Sequence, residues 1–193
     1  MCGLLGIFDN HPLPDQDQGL HSALIALHHR GPDDRGLETF TVANGRLVLG
    51  HTRLSIIDLS SGGHQPMRSP DGRYTIVFNG EIYNYRELRQ DLKGLGHKFH
   101  TDSDTEVLLA AWAQWGVAGL QRLTGMFAFA VFDRVAQTLT LVRDAFGIKP
   151  LFYALTAKGL LFASEMSALL ALCGGTPQLN QQRAYDYLIY GVQ

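Results

Sequence analysis

The chemistry open to this chain starts at Met1-Cys2-Gly3. A cysteine directly after the initiator methionine becomes the first residue once Met1 is excised, and small second residues permit that excision. The new terminus would carry a thiol and a free α-amine on one residue. The thiol is a strong nucleophile when deprotonated, with a reference pKa of about 8.5. The amine, with a reference pKa of roughly 7.7–8.0, is partly unprotonated near neutral pH and can serve as the general base. If Met1 stays, that base is locked in a peptide bond and the terminus is inactive. Position alone leaves two other readings of Cys2 open: a small apolar residue opening a strand, or a modification site. Catalysis requires that the rest of the chain supply an oxyanion hole and a substrate pocket.

Three internal stretches offer those parts. In VFNGEIYNY a strand ends at Phe78 and Asn79-Gly80 follow. Asn supplies an amide donor, and Gly lets a backbone N–H approach a substrate with no Cβ in the way. One side-chain N–H and one backbone N–H make an oxyanion hole, and losing one such donor costs about 3–4 kcal/mol of transition-state stabilisation. A tight Asn-Gly turn is the alternative. GHTRLSIID sets Arg53 among apolar residues, where a guanidinium wants a buried anion and its fork fits a carboxylate; a surface salt bridge is the alternative. TDSDTE carries Asp102, Asp104 and Glu106 around a helix start, where carboxylates act as caps or dipole partners. One of them could instead hold an ammonium, and an Arg for a carboxylate with an Asp for an ammonium would recognise an α-amino acid.

Other polar clusters lead nowhere specific. Of the eight histidines, His28 and His29 are adjacent and would point apart on a helix, and His97 and His100 lack metal-ligand spacing. Ser61-Gly62-Gly63 lacks the lysine of a phosphate loop. The net charge of -2 gives no basic footprint for nucleic acid or an anionic membrane. CGLLGIF has no positive segment before it and Asp9 ends it early, so it is no signal peptide, and no apolar run spans a bilayer. Cys2 and Cys173 show no pairing pattern, and a reduced, cytoplasmic setting is the default.

The elements that must hold these residues follow from periodicity. The 193 residues suit one domain, residues 1–193, with no repeat or linker. CGLLGIF reads as a buried strand ended by Asp9, Asn10 and Pro12. Leu20, Ala23, Leu24 and Leu27 keep helical spacing up to Gly31-Pro32. LETFTV and RLVLG form a hairpin about Asn44-Gly45, and HTRLSIIDLSSGGHQPM reads as irregular. RYTIVF is a strand. Asn84 with Glu87 predicts a capping box for a helix burying Tyr85, Leu88, Leu92 and Leu95. HKFH is a short strand candidate, and Ser103 to Glu106 is a second capping box for a helix running to Trp115. MFAFAVFD with TLTLVRD, and LFYAL with LLFAS about Lys158-Gly159, predict two more hairpins. SEMSALLALC and QQRAYDYLIYG close the chain as helices. The sum is α+β or a layered αββα arrangement of two sheets with helices outside.

Nine segments in order carry a resemblance: MCGLLGIFD, RGPDDRG, GHTRLSIIDL, GHQPM, FNGEIYNYRELR, TDSDTEV, GMFAFAVFD, RDAFGIKPLFY and FASEMSAL. Together they resemble the glutaminase domain of glutamine-hydrolysing asparagine synthetases, class II glutamine amidotransferases of the N-terminal-nucleophile hydrolase fold. The resemblance implies a four-layer αββα sandwich. By matching positions, it implies Cys2 as nucleophile, Asn79 and Gly80 as the oxyanion pair, and Arg53 on the glutamine α-carboxylate. It further implies Asp104 on the α-ammonium with Glu81 close by, and the backbone around Ile56 lining the same pocket. The expected ligand is L-glutamine, with no metal or cofactor, no nucleic acid and no membrane. The expected partner is an ATP-dependent synthetase domain or subunit, whose SGG-x-DS phosphate loop is absent from this sequence. RDAFGIKPLFY is expected to fix core strands and a turn, and FASEMSAL to face the synthetase. Two competing readings stand beside this one: a silent glutamine-binding or interaction module, and a glutaminase serving another amidation product. A thiol-metal or redox protein is a distant third, since Cys2 and Cys173 lack a suitable motif.

Overall fold

The computed structural model describes residues 1–9, 16–43, 45–156, 159–174 and 178–191. In chain order these form β1 (Gly3–Asp9), α1 (Gln16–Leu27), β2 (Asp34–Val42), β3 (Gly45–Arg53), β4 (Met67–Arg68), β5 (Tyr74–Ile82), α2 (Tyr85–Gly94) and α3 (Asp104–Trp115). There follow β6 (Gly125–Asp133), β7 (Thr138–Arg143), β8 (Phe152–Thr156), β9 (Gly159–Ala163), α4 (Met166–Cys173) and α5 (Gln181–Tyr190). The strands build two antiparallel sheets, β2-β3-β1-β9-β8 and β4-β5-β6-β7.

The layering follows from strand geometry. Side chains alternate between faces along a strand, so a strand covered on both faces must be apolar at both parities. In β1, Leu5 and Ile7 pack with Leu20, Leu24 and Leu27 of α1 and Leu169 and Leu172 of α4. Leu4, one parity over, packs with Val77, Ala128 and Phe132 of the other sheet. In β6, Phe127, Phe129 and Val131 meet Leu88 and Leu92 of α2 and Val107, Leu108 and Trp112 of α3. Its alternate residues Ala128, Ala130 and Phe132 fill the space between the sheets. Three apolar cores between four layers give the αββα sandwich that the resemblance implies, and they explain why MFAFAVF is apolar without a break.

Several elements differ from the sequence reading. β3 continues through His51, Thr52 and Arg53 instead of turning irregular, because His51 is fully buried and its Nε2 donates to Phe78 O (3.0 Å) across the inter-sheet space. Burial lowers the His51 pKa to about 4, so the ring is neutral at pH 7. β2 begins at Asp34, inside the expected RGPDDRG loop. β5 does not end at Phe78. Asn79 and Gly80 are not a turn but strand residues paired with Ala128 and Phe127.

Helix ends differ too. Asn84 makes no side-chain cap on α2; its amide donates to Arg122 O (2.9 Å) and accepts from Thr124 N (2.9 Å). Leu95 is exposed, and HKFH forms no strand. Ser103 does cap α3, accepting from Thr105 N at 3.0 Å, while Glu106 reaches back to the N–H groups of His100 and Thr101. Asn10, Pro12, Asn44 and Lys158 lie outside the described residues, although β2 pairs with β3 and β8 with β9 as adjacent antiparallel strands. Among the described residues no helix is long and apolar enough to cross a membrane.

Candidate active site

Parity decides where the polar residues meet. Cys2 continues the inter-sheet parity of Leu4, Arg53 that of Leu49 and His51, and Asn79 and Glu81 that of Val77. The first pair belongs to the five-stranded sheet and the second to the four-stranded sheet. They converge where the apolar layer between the sheets runs out. There a cleft of about 160 Å³ is lined by all seven residues singled out from the sequence: Cys2, Arg53, Ile56, Asn79, Gly80, Glu81 and Asp104.

At Cys2, Sγ points toward Leu54 O (3.7 Å) and accepts from Leu54 N (3.4 Å). Burial pushes the thiol pKa up; the Leu54 N–H, the positive terminus and Arg53 only partly oppose this. The thiol therefore needs a base. The Met1 Sδ accepts from the buried Lys149 Nζ at 3.3 Å.

The Cys2 carbonyl is gripped from two sides. Arg30 Nε donates to it at 2.9 Å. Asn79, 1% exposed, donates to it through Nδ2 at 3.0 Å in the amide orientation that satisfies both neighbours, while its Oδ1 accepts from Arg30 Nη2 at 3.3 Å. An amide nitrogen has two hydrogens, so one stays available for another acceptor.

Gly80 offers the second donor. Phe78 N donates to Gln65 Oε1 (2.6 Å) and Ile82 N to Asp104 Oδ2 (3.0 Å), both on the edge of β5 that faces away from β6. Backbone N–H groups two residues apart point the same way in a strand, so the Gly80 N–H is aimed at the cleft between them. Only glycine fits there. A Cβ would meet Met126 O, the Phe78 ring at 2.7 Å and Phe127 Cα at 2.8 Å.

Arg53 ends β3 with its guanidinium inside the loop that follows. Nη1 donates to Ser60 O at 2.8 Å, Nη2 donates to Asp58 O, and a Cβ on Gly63 would occupy the guanidinium's place. Asp58 closes this loop onto the next element: it accepts from Ser60 N, from Ser60 Oγ and, through Oδ2, from Asp102 N at 3.1 Å. Ile56 is 70% exposed on the loop at the mouth of the cleft. Asp104 opens α3 and is buried. Burial and the nearby Glu81 charge raise its pKa to about 6, against the lowering effect of the Ile82 N–H. A buried carboxylate held above its usual range gains most from a cationic partner. Its neighbours in the motif do other work, since Asp102 is largely exposed and Glu106 holds the chain before the helix.

Four residues escaped the sequence reading. Arg30 lies in the quoted RGPDDRG motif, but nothing in its spacing points at Cys2. Gln65 fixes β5 to α3, accepting from Phe78 N and donating to Thr105 Oγ1 at 3.3 Å. RDAFGIKPLFY is a turn as expected, with the Asp144 carboxylate accepting from the N–H groups of Phe127, Phe146, Ile148 and Lys149. The same turn delivers Lys149 into the cleft. Glu165, in FASEMSAL, pairs with Arg30.

Residues 1–193 match the glutamine amidotransferase domain family. The chain belongs to that family. It is 43% identical over 173 residues to Asparagine synthetase (glutamine-hydrolyzing) 1 of Bacillus subtilis (strain 168), covering 88% of this chain and 27% of that protein. It is 40% identical over 182 residues to Amidase chry2 of Gibberella zeae, covering 89% and 26%. The chain thus spans about a quarter of the length of these curated relatives. Among solved structures, the glutamine phosphoribosylpyrophosphate amidotransferase of B. subtilis superposes with a TM-score of 0.72 at 25% identity, over 89% of this chain and 44% of that one. This class II amidotransferase domain therefore has the α+β sandwich of the N-terminal-nucleophile hydrolases.

Proposed function

We propose that residues 1–193 form one glutaminase domain that hydrolyses L-glutamine at Cys2 and passes the ammonia to a synthetase domain or subunit. One observation carries this reading: Cys2, a pair of N–H donors, a guanidinium and a buried carboxylate face the same small cleft. Arg53 and Asp104 take the α-carboxylate and α-ammonium, with Glu81 beside the latter and the backbone at Ile56 closing the mouth.

After removal of Met1, the Cys2 amine takes the Sγ proton. The thiolate attacks the side-chain carbonyl carbon, and the carbonyl electron pair moves to oxygen, held by Asn79 Nδ2 and Gly80 N–H. The amine's extra proton goes to the departing nitrogen as the C–N bond breaks, leaving ammonia and a thioester. Water, deprotonated by the amine, attacks the thioester. Collapse of that second intermediate breaks the C–S bond, returns the proton to sulfur and releases glutamate. These groups account for every bond and proton, so no metal or organic cofactor is invoked.

Because relatives carry the name asparagine synthetase, aspartate is the proposed acceptor, in a cytoplasmic setting. The amidase name of another relative keeps a different amidation product as the alternative. Intact mass combined with a glutamate-release assay tests the glutaminase reading. Loss of Met1 with turnover that vanishes in Cys2→Ala is expected. A processed, folded chain that never releases glutamate, alone or with a synthetase partner, would sink the proposal.

A further inference from the structure

We propose that Glu165 is a positioning residue for the nucleophile, acting through Arg30; the inference rests on the glutaminase reading above. The buried Arg30 guanidinium spends its three nitrogens on three targets. Nε donates to Cys2 O at 2.9 Å, Nη2 to Asn79 Oδ1 at 3.3 Å, and Nη1 to Glu165 Oε1 at 2.9 Å. Only the third target is an anion. A guanidinium is a rigid planar fork, so fixing one arm fixes the direction of the other two. The carboxylate of Glu165 therefore sets the angle at which Arg30 holds both the residue that attacks and the amide that stabilises the oxyanion.

Glu165 is itself well fixed. The residue before it is tied to β1 twice, by Ser164 N to Leu4 O (2.8 Å) and Leu4 N to Ser164 Oγ (3.0 Å). The anchor thus hangs from the same strand that begins beside the nucleophile. Its Oε1 also faces His29 Nε2 at 3.0 Å. Burial alone would raise the Glu165 pKa; Arg30 and His29 outweigh it and hold the carboxyl below its usual range. Without that charge, a buried guanidinium is left uncompensated and turns toward whatever carbonyls or water it can reach.

A plain structural ion pair at the start of α4 would look the same in a static view, so the test asks whether Glu165 works through Arg30. Glutamine turnover is measured on the processed full chain for the parent, Glu165→Gln, Arg30→Met and the double variant, with thermal melting as a folding control. Glu165→Gln is expected to lower kcat about tenfold with KM within about twofold, the signature of misplaced reacting groups. Arg30→Met should lose more, and the double variant should be no slower than Arg30→Met, because an anchor with nothing to hold has no further effect. Glu165→Asp, which keeps the charge on a shorter stem, should recover part of the loss. Multiplying losses, an unchanged kcat, or an effect confined to KM would overturn the proposal. If Glu165→Gln does not fold, the same cycle is run with Glu165→Asp, where multiplying losses count equally against it. A parent chain inert toward glutamine would instead refute the functional reading. The cycle is then read in the iodoacetamide alkylation rate at Cys2, followed by peptide mass because Cys173 is also free. Equal, non-additive changes there support the anchor, and no change overturns it.

Discussion

The two walls of the cleft are built in opposite ways. One is β5, clamped along one edge by the β6 ladder and along the other by Gln65, His51 and Asp104. Asn79 on it is 1% exposed. The other wall, residues 54–63, has no ladder. It is gathered around two side chains, Arg53 reaching the carbonyls of Ser60 and Asp58, and Asp58 reaching Ser60 and Asp102. Ile56 on it is 70% exposed. The strand wall carries the two N–H donors assigned to the oxyanion, Asn79 and Gly80; the loop wall is gathered on Arg53 and carries Ile56, both assigned to recognition together with Glu81 and with Asp104 at the start of α3. The difference is physically reasonable: an oxyanion must be met within a fraction of an ångström, which a ladder guarantees, whereas a ligand must enter and leave past something that can give.

If that division is real, substitutions at the two strand-wall donors act on kcat, and those at the groups assigned to recognition act on KM. The largest effect is expected from Gly80→Ala. Its Cβ would press on Phe127 Cα at 2.8 Å and on Met126 O, backbone atoms that cannot swing aside. The strand must shift, and the N–H aimed at the cleft, proposed to hold the oxyanion, shifts with it. Steady-state kinetics should show kcat falling about 100-fold or more with KM little changed, alongside a loss of about 1–3 kcal/mol in denaturant unfolding. A KM-dominated loss would break the comparison.

Arg53→Lys comes next. Lysine keeps the charge but cannot serve Ser60 O, Asp58 O and a carboxylate in one plane. KM should rise about 10- to 100-fold, the equivalent of a charge-assisted pair worth about 1.5–3 kcal/mol, with kcat nearly kept. Asp104 gives a smaller effect, visible through pH. Its pKa of about 6 in the free protein would fall once an ammonium sits against it. Ligand binding then releases a proton below that pKa, so affinity is constant above it and weakens as pH drops through it. Between about pH 7 and about pH 5, KM for glutamine should rise about tenfold. Asp104→Asn should show a high KM with that pH dependence gone. A parent KM flat across this range would remove Asp104 from the ammonium.

How much of this was legible beforehand depends on whether a role is local. Periodicity left α+β and a layered αββα arrangement open, and the four layers came only with the resemblance, because an apolar strand such as MFAFAVF does not say what covers its two faces. Ser103 declared its own cap. Asn79-Gly80 misled, since the dipeptide is a strong turn signal and only the ladder with Ala128 and Phe127 overrides it. Asn84 misled for the same reason: its partners, Arg122 O and Thr124 N, lie about forty residues on. The seven candidate residues were reached by segment order, and the structure brings all of them to one cleft. Arg30, Lys149 and Glu165 were missed because their partners are separated by 28, 148 and 135 residues, a distance over which spacing carries no signal.

The smallest effect, and the sharpest test of the loop wall, is Ile56→Ala. Ile56 lines the cleft and is nevertheless mostly exposed. Truncation therefore removes little buried apolar area, and stability should change by less than about 0.5 kcal/mol, as for other surface sites. If the loop closes over glutamine during turnover, the exposed side chain becomes buried in the complex, and its loss should raise KM about threefold to tenfold, the value of burying a few methylenes at about 0.8 kcal/mol each. If the loop stays as it is, KM should not move. The first outcome makes the loop wall a lid that uses Ile56 when closed. The second makes it a fixed rim, and the contrast with β5 then reduces to which hydrogen bonds each wall offers.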